Sequence, residues 1–194
     1  MTTPDLLVAL APVLQALRVL GVRHYVGGSI ASSAHGVPRA SIDADVLAEL
    51  SAAHAAPFVA TLQGTYYVSE ERVRDSIARR ASFNVIHLET MVKVDVFVSR
   101  DRPFDRRALD RARPAVLEGG NELPVSSPED TILAKLEWFR RRGEVSQRQW
   151  MDVAGILRAG GALDETYLRQ GALELGVVDL LDRALEEAGW GRVP

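Results

Sequence analysis

Gly27-Gly28-Ser29 stands a short stretch before Asp43-Ala44-Asp45, and Asp95 follows much later inside Val92-Lys93-Val94-Asp95-Val96-Phe97-Val98. A glycine-serine turn lets phosphates approach the backbone closely, and three carboxylates can hold magnesium. Side chains at i and i+2 of a strand share a face, so Asp43 and Asp45 project together if Ile42 to Leu47 is extended. In the later segment the four valines suit a buried face, which puts Lys93, Asp95 and Phe97 on the opposite one. If the two strands are neighbours, three carboxylates meet on one surface. Like charges so placed repel, and some would protonate unless a cation held them. Mg²⁺ prefers hard oxygen ligands and shares its shell with substrate phosphates; two such ions can clamp both oxygens of a phosphoryl displacement.

Each signal alone is weak. Asp-x-Asp on a solvated strand face is usually plain surface, and Gly-Gly-Ser is usually a turn. Their order adds weight. The glycines follow a short apolar strand, His24-Tyr25-Val26, and Ser29 opens a helix-compatible run from Ile30 to His35. A helix N-terminus offers free N–H groups and a partial positive charge to a phosphate. Gly36-Val37-Pro38 then ends the helix before the Asp-x-Asp strand.

The remaining elements follow from periodicity. The pattern predicts a first helix over Pro4 to Leu20, a helix over Ala52 to Leu62, a strand over Thr65 to Val68 and a helix over Glu70 to Arg80. Phe83 to Leu88 and Val92 to Val98 form an expected hairpin around Glu89-Thr90. A helix over Phe104 to Arg111 follows, and then short strands flanking Gly119-Gly120. Ser127-Pro128-Glu129-Asp130 is a helix start with a capping serine, proline at the first position and acids in the first turn. From there the chain reads as helical to near Ala188, broken at Gly143, Gly160-Gly161 and Gly176.

The stretches Tyr25-Val26-Gly27-Gly28-Ser29-Ile30-Ala31 and His35-Gly36-Val37-Pro38-Arg39-Ala40-Ser41-Ile42-Asp43-Ala44-Asp45 resemble the minimal nucleotidyltransferases of the DNA polymerase β superfamily. The resemblance is closest to the bacterial branch grouped with abortive-infection (AbiEii-like) toxins, and it spans roughly Gly21 to Leu185. Ser82 to Thr90, Lys93 to Phe97, Ser127 to Asp130, Lys135 to Trp138 and Arg148 to Val153 continue it less specifically. It implies an α/β (α+β) fold: a nucleotidyltransferase-type mixed sheet flanked by helices in residues 1–125, then a helical subdomain in residues 126–194. It further implies Asp43, Asp45 and Asp95 as catalytic metal ligands for Mg²⁺, with two ions expected. Gly27, Gly28, Ser29, Arg39 and Lys93 are the implied nucleotide-binding residues. The toxin-like members often carry Lys-Asp-x-x-Asp in the helical part; Gln149 stands where the first Asp would be, leaving Asp152.

Composition agrees with an enzyme of this size. The chain has 194 residues, of which 47% are hydrophobic, enough for an ordinary core. No apolar run approaches a membrane span and no signal peptide opens the chain, so a cytoplasmic location is expected. The absence of cysteine excludes disulfides, thiolate catalysis and zinc–thiolate sites. A net charge of −3 argues against a general nucleic-acid binder.

The cations are unevenly spread and nearly all arginine; Lys93 and Lys135 are the lysines. Arg100, Arg102, Arg106, Arg107, Arg111 and Arg113 interleave with Asp101, Asp105 and Asp110, as on a solvated helix face. Arg140, Arg141, Arg142 and Arg148 form a second cluster able to meet a triphosphate or an RNA backbone. Arg39 either neutralises triphosphate charge or makes a structural ion pair. The four histidines lack ligand spacing, and no histidine–acid partnership would make Ser29 a nucleophile. Trp138, Trp150 and Trp190 read as packing residues.

The expected activity is Mg²⁺-dependent transfer of a nucleoside monophosphate from an NTP to a hydroxyl on tRNA, protein or a small molecule. Two alternatives stay open: a nucleotide-binding or regulatory protein without turnover, or the toxin of a toxin–antitoxin pair acting on tRNA, which would have a cognate antitoxin as partner.

Overall fold

A computed structural model describes residues 3–36, 43–116, 122–159 and 161–190. Arg39, Val37-Pro38, the start of the Asp-x-Asp strand at Ile42, and Gly119-Gly120 lie outside the described residues.

Helix α1 (Thr3–Val19) leads into strand β1 (His24–Val26), helix α2 (Gly28–His35) and strand β2 (Asp43–Ala48). A 3₁₀ turn and α3 (Ala55–Leu62) precede β3 (Tyr66–Tyr67), α4 (Glu70–Arg79), β4 (Ser82–His87) and β5 (Lys93–Val98). Helix α5 (Pro103–Arg111) and strands β6 (Arg113–Val116) and β7 (Glu122–Val125) complete the sheet region. Four helices follow: α6 (Pro128–Arg141), α7 (Gln147–Arg158), α8 (Glu165–Leu175) and α9 (Val178–Ala188). The expected mixed sheet and C-terminal helices are therefore present, with boundaries within a few residues of those read from periodicity.

The seven strands lie in the order β3-β4-β5-β2-β1-β7-β6. β2 runs parallel to β5 and antiparallel to β1, and β1 runs parallel to β7. The central strands obey the period of two. Ala44, Val46 and Ala48 of β2 and Val94, Val96 and Val98 of β5 are buried on one face, packed with α1, α3 and α4 residues such as Leu10, Phe58 and Val73. The opposite face carries Asp43, Asp45, Lys93, Asp95 and Phe97. Part of that face is roofed by α5, where Ala108 and Leu109 meet Tyr25 and Leu47.

A separate cluster holds the C-terminal helices together: Ile132, Leu133 and Leu136 of α6 pack with Val153, Leu157, Leu168 and Leu181, and Phe104 of α5 joins them. Ser127 caps α6 by accepting from the Asp130 N–H at 3.1 Å, as its helix-start pattern predicts. The helical layer is tied to the sheet through Ser126, whose N–H donates to the Val26 carbonyl and whose carbonyl oxygen lies 2.6 Å from His35 Nε2.

Candidate active site

Register brings the carboxylates together. Asp45 faces Asp95 across the parallel β2/β5 ladder, and Asp43 faces Lys93. Neighbouring strands lie roughly 4.8 Å apart, so Asp45 and Asp95 are adjacent on the face that the valine alternation leaves uncovered. Ala44, between the two aspartates, is fully buried on the other face.

Gly28 explains itself through Asp45. Its φ is +56°, and a Cβ built there would lie 1.8 Å from Asp45 Oδ2 and 2.8 Å from Asp45 Cβ. Rotating the carboxylate cannot relieve a clash that already involves Cβ. The Gly27 N–H donates to the Asp45 carbonyl at 2.9 Å, locking the turn to β2. Ser29, expected to cap the helix, is instead a buried residue inside the first turn, because Gly27 occupies the cap position. The helix thus begins two residues earlier than a capping serine would place it.

The electrostatics follow from this crowding. Burial, and then the charges of Asp43 and Asp95, push the Asp45 carboxyl up to about 6, against the pull of Lys135 and Lys93. Lys93 Nζ donates to Asp95 Oδ2 at 2.6 Å, and that bond raises the lysine above its ordinary value. Among the described residues, no three His, Asp or Glu side chains are gathered into one ligand cluster. The donor set is nevertheless all hard carboxylate oxygen, and Gly28 leaves room beside Asp45 that any side chain would fill. The chemistry of these residues fits magnesium.

Lys135 is the residue whose part the sequence left undecided. It projects from α6, is only 5% exposed, and donates to Gln149 Oε1 at 2.9 Å and Asp152 Oδ2 at 2.8 Å. Gln149, standing where the toxin-like pattern has an acid, leaves Asp152 as the carboxylate that holds the lysine. Lys135 is close enough to lower the Asp45 carboxyl. Its signal in sequence is its place about two turns beyond a capped helix start.

These groups line a cavity of about 690 Å³ between the uncovered sheet face and α6 and α7. Gly27, Gly28, Ser29, Asp43, Asp45 and Asp95 form one end. Phe97 and Trp138 form a wall, with ring centroids 6.4 Å apart and planes at 89°. Trp138, read from sequence as packing, is 38% exposed and faces the cavity. Lys93 sits beside Asp95 rather than on the cavity lining.

The first arginine cluster divides. Arg106 pairs with Asp101, one of the interleaved acids, whereas Arg107 and Arg111 pair with Glu174 of α8 and Glu129 of α6. Arg100 and Arg102 instead reach the cavity.

No family model matches the chain, and no curated protein matches it in sequence. Solved structures do match in shape. An antigenic nucleotidyltransferase-like protein from Paracoccidioides brasiliensis superposes with a TM-score of 0.57 at 16% identity, covering 96% of this chain and 94% of its own. The antibiotic-resistance factor ANT(2'')-Ia superposes with a TM-score of 0.53 at 16% identity, covering 97% of this chain and 96% of its own. Neither is described as an abortive-infection toxin. The mixed sheet, its uncovered acidic face and the helices beyond it make this chain similar in fold to these nucleotidyltransferase structures.

Proposed function

We propose that the chain transfers a nucleoside monophosphate from an NTP to a hydroxyl acceptor, with Mg²⁺ held by Asp43, Asp45 and Asp95. The observation that carries this reading is Asp45: set in register with Asp95, pressed against a glycine that admits no Cβ, and facing a cavity. The fold likeness to nucleotidyltransferases, one of them an antibiotic-resistance factor, supports it.

In this reading the triphosphate lies along Gly27-Gly28-Ser29, where the N-terminus of α2 presents backbone N–H groups and a partial positive charge. Arg39 and Lys93 contribute further positive charge to the bound nucleotide. Lys135, steadied by Gln149 and Asp152, holds a cation opposite Asp45 where charge develops on the leaving pyrophosphate. When bound, magnesium supplies charge neutralisation of the phosphates and polarisation of the α-phosphorus. Asp95 lies nearest Lys93 and assists removal of the acceptor's proton; its bond to the ammonium must first loosen. The acceptor oxygen then bonds to the α-phosphorus, the bond to the bridging oxygen breaks, and pyrophosphate departs. The protein's contribution is positioning and electrostatics. Residues 1–125 supply the catalytic face, and residues 126–194 supply the opposing wall. The acceptor hydroxyl belongs to a tRNA, a protein or a small molecule.

One observation favours a second reading, nucleotide binding without turnover: Lys93 already neutralises Asp95. A single experiment separates the two. Purified protein is incubated with Mg²⁺, each α-labelled NTP and a cell extract, beside Asp95→Asn. Label transferred by the wild type and lost in the variant supports transfer. Nucleotide binding without label transfer supports the second reading, and neither binding nor label refutes both.

A further inference from the structure

The cavity that holds the carboxylates is also lined by arginines. Beyond the Phe97–Trp138 wall it is lined by Arg80, Arg100, Arg102, Arg141 and Arg142, and Arg148 lines it next to Gln149. Two carboxylates lie among them, Asp105 and Glu137, and these are taken by Arg102 and Arg141. Among the described residues, Arg80, Arg100, Arg142 and Arg148 make no ion pair: Arg80 donates to the Ser99 carbonyl at 2.9 Å, and Arg142 lies over the Trp138 ring at 4.6 Å. Arg100 is burdened by burial and by the like charges of Arg141 and Arg102, which lower its affinity for its proton. Elsewhere most arginines are matched, while among the described residues Arg18, Arg72, Arg113 and Arg158 make no ion pair and stand exposed outside this cavity. Arg140 meets Asp179 and Glu144, Arg169 meets Glu165 and Asp182, and Arg183 meets Glu187. On a chain of net charge −3, four arginines without an ion pair line this one cavity.

The nucleotide does not account for them. Its phosphates belong at the glycine turn and the aspartates. From Asp95 to Arg100 along an extended strand is about 16 Å, and from Lys135 to Arg142 along α6 is about 10 Å, at the usual rises per residue. A triphosphate anchored at Gly28 does not reach that far, and a nucleobase carries no charge for guanidinium groups to neutralise. A cationic acceptor would meet like charge there.

We propose that the acceptor is a small phosphate-bearing molecule: its phosphate docks on the Arg100–Arg142 end, its body lies along Phe97 and Trp138, and its free hydroxyl reaches the α-phosphorus at the aspartates. This rests on the transfer reading above. Guanidinium groups bind phosphate through paired, charge-assisted hydrogen bonds, and the aromatic wall suits a sugar or base ring. The small molecule is favoured over a nucleic-acid strand because these cations line a single cavity of about 690 Å³ on a chain whose net charge is −3.

Two measurements test this. A cell extract is split by size and by anion exchange, and each fraction is offered as acceptor with Mg²⁺ and labelled NTP. Label should appear in the small, anion-exchanger-bound fraction and disappear after phosphatase treatment of that fraction. Label in the unbound fraction, or only in the large nucleic-acid fraction, overturns the proposal; label in none indicts the transfer reading itself. Independently of turnover, inorganic phosphate is titrated against the protein saturated with Mg²⁺ and a non-hydrolysable NTP, reading tryptophan fluorescence. A saturable change is expected in the wild type, lost in Trp138→Phe and weakened about tenfold in Arg100→Gln and Arg142→Gln, as removal of a charge-assisted bond implies. No saturable change, or one untouched by these substitutions, overturns it.

Discussion

Two sets of acidic residues in this protein, one buried and one half-buried, have opposite characters. Glu129 and Asp130, at the start of α6, are fully matched. Asp130 accepts from Tyr167 Oη at 2.5 Å and from Ser127 Oγ at 2.7 Å, and Arg111 reaches both acids while lying 4.0 Å above the Tyr167 ring. Glu129 also accepts from the Asp164 N–H at 3.0 Å. These bonds join α5, α6 and α8. Asp45, by contrast, is surrounded first by burial and by two other aspartates. A cluster that exists to hold a fold satisfies its charges within the chain. A cluster that waits for a ligand leaves charge that the ligand must neutralise.

The sharpest way to break this contrast is to exchange the two sites' losses. Asp45→Asn keeps the shape of the side chain and removes a ligand and a repelling charge. Nucleotide transfer should fall by three orders of magnitude or more, about the scale for losing a key electrostatic group. The melting temperature of the metal-free protein should hold or rise, because the native state then no longer opposes ionisation at that position. A large fall in melting temperature would make Asp45 a structural partner like Asp130.

Asp130→Ala is the mirror test. It strands Arg111 and Tyr167 and should cost about 3 kcal/mol of unfolding free energy, the usual scale for breaking a buried, hydrogen-bonded ion pair. Denaturant titration reads this. Unchanged stability would mean that the network adds no net support.

Gly28→Ala lies between the two sites in character. It should destabilise by about 1–2 kcal/mol, from the positive φ and the displaced Asp45 side chain. It should also weaken Mg²⁺-NTP binding in calorimetric titration. Equal loss of stability without loss of binding would separate the turn from the site. The smallest effect belongs to the exposed pairs: Arg169→Ala, which breaks contacts to Glu165 and Asp182, should change stability by less than about 1 kcal/mol.

Much of this contrast was legible in the sequence, and what escaped it has a common cause. The valines around Asp95 and the i, i+2 aspartates set their own faces, and Ser127 with Pro128 announced α6, because these are local rules. The pairing of β2 with β5 in register is long-range; it was posed as a condition and is met. Three readings depended on tertiary position. Trp138 fits a packing pattern, and only the placement of α6 against Phe97 turns it toward a cavity. Arg100 and Arg106 look alike in a mixed-charge run, yet Arg106 finds Asp101 and Arg100 faces the cavity. Ser29 resembles a cap, but Gly27, bonded through its N–H to the Asp45 carbonyl, takes the cap position and α2 begins at Gly28.

The most direct test of the central claim is a crystal structure with Mn²⁺ and a non-hydrolysable NTP, with metal identified by anomalous scattering. The account predicts metal bound by Asp43, Asp45 and Asp95, phosphates at Gly27-Gly28-Ser29, and Lys93 drawn off Asp95 toward the nucleotide. Metal or nucleotide bound elsewhere, or an Asp95 still held by Lys93 with nucleotide present, would contradict it.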